Sequence, residues 1–285
     1  MRIHKEEGFS FKQVVTFNLD EYFPIKQNDP ESYNYYMRYH LFDHIDVPKD
    51  HINIPNGEIP RVDVAKFCQA YEKKIQSYGG IDLQILGIGR TGHIGFNEPP
   101  SPANSITRLV YLHRLTRKDA AGAFGGMDNV PKCAITMGID TIHKAKKIII
   151  MGWSESKSYI VKKSIEQERS NDIPSTFLHD HPDATFILDK AAGEKLTRFK
   201  TPWTIRGDIE DPVVPKSPYW VIQSVCWLCV KAQKPFLRLT FTDYEDHNLS
   251  ELVNFCANGS VEDLNLYCYK EVMAKITGWP LGHRP

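Results

Sequence analysis

The chain has 285 residues, which is enough for one large domain or two small ones. Lysine plus arginine and aspartate plus glutamate each number 35, so no net charge favours binding to nucleic acid or to an anionic membrane surface. No stretch approaches the ~20 continuous apolar residues that a membrane helix needs, and the first residues lack an apolar signal core. We therefore predict a cytoplasmic protein.

The first part of the chain alternates between strand-like and helix-like patterns. Residues 14–18 form a short β-branched and aromatic run, and the polar residues after it predict a loop at the end of a strand. Apolar residues at helical spacing predict a helix over residues 62–78, which Gly79 and Gly80 end. Residues 81–86 predict the next strand.

Strands and helices continue to alternate in the middle of the chain. Residues 134–137, 147–151 and 184–188 are apolar runs that predict strands. Residues 154–168 predict a helix with Ser154 as its N-cap. This order is typical of an α/β fold, a Rossmann-like and mainly parallel sheet with helices on both faces.

The end of the chain differs in composition. Residues 200–218 are rich in proline and charge and predict a linker, which separates a domain at residues 1–199 from an extension at residues 219–285. Within the extension we predict helices over residues 219–233 and 248–257 and a short strand over residues 235–240. The extension is thus expected to be α/β as well.

Neither the cysteines nor the histidines indicate a metal. Of six cysteines, only Cys226 and Cys229 form a C-x-x-C, and a zinc site would need a second pair. A thioredoxin-like redox motif is an alternative, but the apolar surroundings favour small side chains on a buried helix. His179 and His181 lack further ligands nearby in the sequence. We predict that no metal is bound.

A glycine-rich turn carries the strongest functional signal. It follows the strand at residues 81–86 and reads G-I-G-R-T-G-H-I-G-F-N-E-P over residues 87–99. Gly87, Gly89 and Gly92 allow backbone N–H groups to approach a ligand closely, because no Cβ intervenes. His93 and Glu98 follow and can move protons near neutral pH.

A carboxylate from another segment is expected beside this turn. Asp20 lies just after the run at residues 14–18, and ligands of open α/β sheets bind at the carboxyl ends of strands. Glu21 is adjacent, so on an extended backbone it points to the opposite face. The sequence therefore predicts that Asp20 and the turn face one pocket.

Three blocks of sequence resemble the glucosamine-6-phosphate deaminase family over about residues 10–188. The first is F-N-L-D-E-Y at residues 17–22, followed by P-E-S-Y at residues 30–33. The second is the glycine-rich turn with F-N-E-P after it, and the third is V-P-K-C-A-I-T-M-G at residues 130–138. The resemblance implies conversion of glucosamine 6-phosphate and water to fructose 6-phosphate and ammonia, without a cofactor.

The resemblance also implies roles for individual residues. Asp20 matches the base that moves a proton from C2 to C1, and His93 matches the residue that opens the sugar ring. Glu98 matches the carboxylate that orients the histidine. Lys157 resembles the lysine that contacts the phosphate, and the glycines and Thr91 line the substrate site.

Several departures from the family pattern bear on activity. Thr91 stands where the family has an aspartate, so His93 is expected to depend more on Glu98. Gly122 stands near the place of a phosphate-binding arginine. The family's first βα unit and phosphate loop have no counterpart before Asp20, so we expect an N-terminally incomplete domain with exposed strand edges. The isolated chain is expected to be poorly soluble or inactive.

Two other functions stay open. The lactonases that hydrolyse 6-phosphogluconolactone share the fold and the glycine turn, although residues 96–98 favour the deaminase. A catalytically silent sugar-phosphate sensor would keep the pocket without the full acid/base set. Family members are monomers or regulated hexamers, so a homo-oligomer is a further expectation; Arg108 matches the regulatory pattern, whereas Val110 departs from it.

Overall fold

A computed structural model describes residues 2–197, 218–256 and 259–278. The chain divides into two compact units, residues 1–194 and 195–285, and each is described by itself. The predicted linker at residues 200–218 lies outside the described residues except for Pro218, which begins a helix. Within the described part of the chain, no helix combines the length and apolar character that a bilayer span requires.

The first unit consists of short strands and helices. Its strands are β1 (Thr16–Phe17), β2 (Asp20–Phe23), β3 (Ile52–Asn53), β4 (Leu83–Gly87), β5 (Arg108–Tyr111), β6 (Cys133–Thr136), β7 (Lys147–Gly152) and β8 (Ala184–Leu188). Its α-helices are α1 (Arg2–Glu7), α2 (Tyr33–His40), α3 (Val64–Ser77), α4 (Arg114–Ala120), α5 (Ile139–His143), α6 (Ser158–Glu166) and α7 (Lys190–Gly193). Short 3₁₀ helices lie at Phe42–His44, Lys49–His51, Arg61–Asp63, Glu155–Lys157 and Pro174–Asp180.

The strands form three groups. β4, β7 and β8 pair in parallel in that order, and β1 pairs in parallel with β3. β2, β6 and β5 pair antiparallel, with β6 in the centre. The α/β class predicted from the sequence is confirmed, and the antiparallel group is an addition that periodicity did not reveal.

The parallel group has one covered face and one exposed apolar face. Ile148 and Ile150 of β7 are fully buried, and Gly152, on the same face, lies against Val161 of α6. On the opposite face Leu83 and Ile85 of β4 are 47% and 52% exposed. Among the described residues β4 pairs on one side only, with β7.

Strands β2 and β6 of the antiparallel group are buried on both faces. Helix α3 packs Val64 and Cys68 against Phe23, Cys133 and Ile135. These helical residues are four apart, so they lie on one face, and the helix predicted over residues 62–78 is confirmed. The opposite face of the same strands packs in a second cluster, formed by Tyr22, Ile25, Phe96, Leu112, Val130 and Ala134.

Asp20 lies in a strand and not in the predicted loop. The strand predicted over residues 14–18 is reduced to Thr16–Phe17, and Asp20 opens β2 opposite Thr136 of β6. The apolar side chains later in β2 explain the difference, because Tyr22 packs into one cluster and Phe23 into the other. Because β2 is buried on both faces, the strand already begins at Asp20.

The second unit is helical in its described residues, so the predicted α/β extension is not observed there. Helices occupy Pro218–Ala232, Phe241–Asp246 and Val261–Thr277, with 3₁₀ helices at Phe236–Arg238 and Ser250–Phe255. The strand predicted over residues 235–240 is therefore wrong. A capping box between Thr240 and Asp243 begins a helix where the strand would end. Cys226 and Cys229 are half-buried free thiols on the first helix, as predicted.

Candidate active site

The glycine-rich turn is closed by its own backbone. The N–H of Gly89 donates to the carbonyl of His93 at 2.9 Å, and the N–H of Gly92 donates to the carbonyl of Gly89 at 3.0 Å. Gly92 adopts a φ of 81°, a left-handed conformation that favours glycine. The turn follows β4 directly, since Gly87 is the last residue of that strand. It therefore holds His93 at the carboxyl end of a parallel strand.

The imidazole of His93 lies against the backbone of Gly89. A Cβ at residue 89 would overlap the ring atoms of His93, whereas Gly89 itself has no positive φ that would exclude alanine. The missing side chain at this position therefore makes room for the histidine. The sequence indicated that the glycines let a ligand approach; at Gly89 the close neighbour is a catalytic candidate of the chain itself.

We expect Gly89→Ala to lower turnover by about 10²-fold, since small displacements of a catalytic group have effects of this size. The added methyl group displaces the imidazole, while the backbone conformation accommodates alanine. Steady-state kinetics measures the loss of turnover, and thermal unfolding shows whether the variant is still folded. Gly122→Ala is the matched control, because a Cβ at Gly122 meets no atom within 4 Å. Wild-type turnover in Gly89→Ala would contradict a catalytic role for His93.

Three side chains form a hydrogen-bonded triangle at the turn. Nδ1 of His93 lies 3.1 Å from Oε2 of Glu98 and 2.9 Å from Oγ1 of Thr91. The Thr91 hydroxyl donates to the same Oε2 at 3.3 Å. Nδ1 is thus held by the protein, which leaves Nε2 as the nitrogen that can exchange a proton with a substrate. Thr91 was expected to line the substrate site, and the structure places its hydroxyl within hydrogen-bond distance of His93 and Glu98.

Glu98 is suited to a charged role beside the imidazole. It is buried, which by itself would raise its pKa, but the hydrogen bond and charge of His93 outweigh burial and lower the pKa of Glu98 below its usual value. The backbone N–H of His113 also donates to Oε1, at 3.4 Å. An ionised Glu98 fixes the orientation of the His93 imidazole.

The carboxyl of Asp20 lies beside the segment that carries His93. Its Oδ2 would be 3.4 Å from a Cβ at Gly95, which has a φ of 56°. Gly95 follows His93 by two residues, so the glycine leaves space for the carboxyl next to the turn. The structure therefore brings together the two segments that the sequence predicted to face one pocket.

The environment of Asp20 strongly favours its neutral form. Loss of hydration of the carboxyl, followed by the charge of Glu21, raises the pKa of Asp20 to about 8. A carboxylate with such a pKa is a stronger base than an exposed aspartate. Raised pKa values of this kind are typical of catalytic bases that act near neutral pH.

Hydrogen bonds between the turn and β6 fix this arrangement. Oγ1 of Thr136, opposite Asp20, accepts the backbone N–H of Phe96 at 3.1 Å. The buried side chain of Asn97 donates to the carbonyls of Ile94 and Met137 at 2.9 and 2.7 Å. Sequence reasoning missed these contacts, although the third matching block contains Thr136 and Met137. Only the register of β2 on β6 reveals their partners.

Glu21 has a structural role that differs from that of its neighbour. It is 1% exposed, and its carboxylate accepts backbone N–H groups from Tyr22, Tyr33 and Asn34, each at 2.9 Å. Two of these donors belong to the first turn of α2. Glu21 therefore caps a helix, and its charge acts on Asp20 from the opposite side of the strand.

Lys157 lies near the turn but not at the predicted place in its helix. It ends the 3₁₀ helix Glu155–Lys157 and precedes α6, and Ser154 makes no side-chain cap. Its Nζ donates to the carbonyl of Ile88 at 2.9 Å. Burial lowers the pKa of Lys157 from its usual value. The ammonium is thus directed at the first residues of the turn.

Histidine and cysteine clusters do not form a metal site in the described residues, where no group of three or more suitable ligands occurs. His179 and His181 instead hydrogen-bond the backbone carbonyls of Ser164 and Ala145.

The fold and the site agree with a known family. A profile of glucosamine-6-phosphate isomerases and 6-phosphogluconolactonases matches residues 2–187. The chain belongs to this family.

Relatives within the family are similar over different lengths. A putative glucosamine-6-phosphate deaminase-like protein of Bacteroides thetaiotaomicron is 38% identical over 99% of this chain, which spans 41% of that protein. Glucosamine-6-phosphate deaminase of Bacillus velezensis is 46% identical over 68% of this chain and 80% of its own length. The chain thus covers about two fifths of the first relative and most of the second.

Solved structures of family members are also similar to this chain. A monomeric glucosamine-6-phosphate deaminase superposes with a TM-score of 0.65 at 43% identity, over 67% of this chain and 78% of that one. The 6-phosphogluconolactonase of Trypanosoma cruzi reaches 0.55 at 23% identity, over 68% of this chain and 78% of its own. At that identity the lactonase shares the fold alone.

Proposed function

We propose that this chain is a glucosamine-6-phosphate deaminase, which converts glucosamine 6-phosphate and water to fructose 6-phosphate and ammonia. The observation that carries the proposal is the carboxyl of Asp20 beside Gly95, next to the His93–Glu98 pair. Relatives with that name, 45–46% identical over about two thirds of the chain, support the same activity. No cofactor takes part in the proposed reaction.

Ring opening is assigned to the histidine and its carboxylate. Nε2 of His93 transfers a proton between the anomeric hydroxyl and the ring oxygen, so the C1–O5 bond breaks and an aldehyde forms. Glu98 and Thr91 hold Nδ1, which fixes the ring and stabilises the imidazolium during the transfer. Steps of general acid–base catalysis of this kind contribute ~10²–10⁴-fold.

Isomerisation is assigned to Asp20. Its carboxylate removes the proton from C2 of the open aldehyde and returns it to C1, while O1 gains a proton and the amino nitrogen loses one. C1 thereby becomes an alcohol and C2 an imine. The resulting imine at C2 takes up water and releases ammonia, which leaves the ketose. A base with a pKa of about 8 is well matched to a carbon acid near neutral pH.

An ammonia-release assay on the purified chain tests the proposal and separates it from the alternatives. Ammonia and fructose 6-phosphate formed from glucosamine 6-phosphate support the deaminase. Hydrolysis of 6-phosphogluconolactone without ammonia release would instead favour the lactonase, and saturable binding without turnover would favour a sensor. Ammonia release by the purified chain would also show that the expectation of a poorly soluble or inactive chain, which rests on the sequence alone, is wrong. We also propose that the protein is cytoplasmic and that it forms a homo-oligomer.

A further inference from the structure

Arg90 lies in the glycine-rich turn and takes part in no interaction described so far. It stands between Gly89 and Thr91, three residues before His93. Its Nη2 lies 3.1 Å from Oδ1 of Asp119, near the end of α4. Both side chains are about half exposed, at 46% and 50%. The guanidinium is therefore accessible to a ligand at the turn.

A second cation lies close to this pair. Nζ of Lys157 donates to the carbonyl of Ile88, two residues before Arg90. The charges of Asp119 and Arg90 both act on Lys157, the first raising its pKa and the second lowering it. Two cations from different segments therefore converge at the turn, and the carboxylate of Asp119 lies next to them.

We propose that Arg90, beside Lys157, binds the phosphate group of the substrate, and that Asp119 competes with that phosphate for Arg90. This inference rests on the proposed function, because it names the residue that holds the phosphate of the sugar. A planar guanidinium suits a phosphate because it donates two parallel hydrogen bonds.

The alternative is an ordinary surface ion pair between Arg90 and Asp119. Such pairs contribute little to stability, and removing either partner would leave substrate binding unchanged. A phosphate site makes a different prediction. Loss of Arg90 weakens binding, and loss of Asp119 strengthens it, because the competing carboxylate is gone. The opposite signs of the two effects distinguish the explanations.

The first arm of the test measures binding without requiring turnover. Calorimetric titration with glucosamine 6-phosphate and with inorganic phosphate, at fixed ionic strength, gives Kd values for wild type, Arg90→Gln and Asp119→Asn. We expect Arg90→Gln to weaken both ligands about 10- to 100-fold, as for a lost hydrogen bond to a charged group. We expect Asp119→Asn to tighten them about twofold to fivefold.

The second arm measures kinetics. Arg90→Gln should raise KM for glucosamine 6-phosphate with little change in kcat, and Arg90→Lys should restore part of the affinity. Binding of unphosphorylated glucosamine should not change. Arg38→Gln and Asp43→Asn are the matched controls, since these residues form another exposed pair, at 3.8 Å on α2 and the 3₁₀ helix after it. Thermal unfolding checks that each variant is folded.

The possible results distinguish the proposed phosphate site from the proposed deaminase activity. Ammonia release with the same KM and phosphate affinity in Arg90→Gln as in wild type would overturn the role of Arg90 and leave the deaminase in place. Binding that depends on Arg90, without any ammonia release, would overturn the deaminase and leave the phosphate site in place. Weaker binding in both Arg90→Gln and Asp119→Asn would also overturn the competition between carboxylate and phosphate.

Discussion

Replacing Asp20 with asparagine should lower the rate of ammonia release by about 10³-fold, within the range that a positioned general base contributes. Asparagine has nearly the same shape as aspartate but cannot accept the C2 proton. Binding of the substrate should change little, so the loss appears in kcat. Asp43→Asn is a suitable control, because Asp43 is exposed on a 3₁₀ helix. Wild-type kcat in Asp20→Asn would exclude this residue as the base.

The pH dependence follows from the same residue. Asp20 must be ionised to act as a base, and burial raises its pKa to about 8. We therefore expect kcat/KM to rise with pH up to about 8 and then to level off. A profile that is already flat from pH 5 upward would contradict a raised pKa for the catalytic base.

Stability provides a second readout for Asp20 that does not depend on turnover. A carboxyl with a folded pKa of about 8 binds its proton more tightly in the folded state than in the unfolded state, where the pKa is about 4. Its contribution to the free energy of unfolding is complete below pH 4 and is lost as the pH rises through 8. Asp20→Asn should therefore lose less stability than wild type between pH 5 and 8.5, measured by urea unfolding.

The second large effect is expected at the ring-opening pair. His93→Gln should lower kcat by about 10²- to 10⁴-fold, because it removes the group that exchanges the proton. Glu98→Gln should cause a similar loss, since the imidazolium is no longer stabilised and Nδ1 loses a charged acceptor at 3.1 Å. The double variant His93→Gln/Glu98→Gln should be no slower than His93→Gln, because the two residues act as a unit.

One control variant makes this result specific. Thr91→Val keeps the shape of the side chain and removes only the hydroxyl, which lies 2.9 Å from Nδ1. We expect a smaller loss than in Glu98→Gln, because the carboxylate still orients the ring. If Glu98→Gln and His93→Gln instead reduce kcat additively, the two residues do not form a pair. Full activity in Glu98→Gln would exclude its assigned role.

Much of this arrangement could be predicted from the sequence because it depends on local patterns. Helix α3 could be predicted because its buried residues recur at helical spacing: Val64, Cys68, Tyr71 and Ile75. The turn at residues 87–93 follows from its glycines, and the pairing of His93 with Glu98 connects residues only five apart. Such short-range features depend on a few neighbouring residues, which the sequence displays directly.

The contacts that complete the site depend on register, and the sequence does not show register. Asp20 was expected in a loop, but the pairing of β2 with β6 places it opposite Thr136. The hydrogen bonds of Asn97 and the helix cap of Glu21 also follow from tertiary packing. The nearness of Arg90 to Lys157 joins segments almost 70 residues apart (157 − 90 = 67). Spacing along the chain gives no information about such pairs.

Cleavage of the C2–H bond is the most direct test of the acid/base assignment. The purified chain and Asp20→Asn are each incubated with glucosamine 6-phosphate deuterated at C2, and C2–D cleavage and ammonia release are followed together. We predict that the unaltered chain cleaves the bond in step with ammonia release and more slowly than it cleaves C2–H, whereas Asp20→Asn does neither measurably. Ammonia release without C2–D cleavage, or equal cleavage by both proteins, would contradict the proposed mechanism.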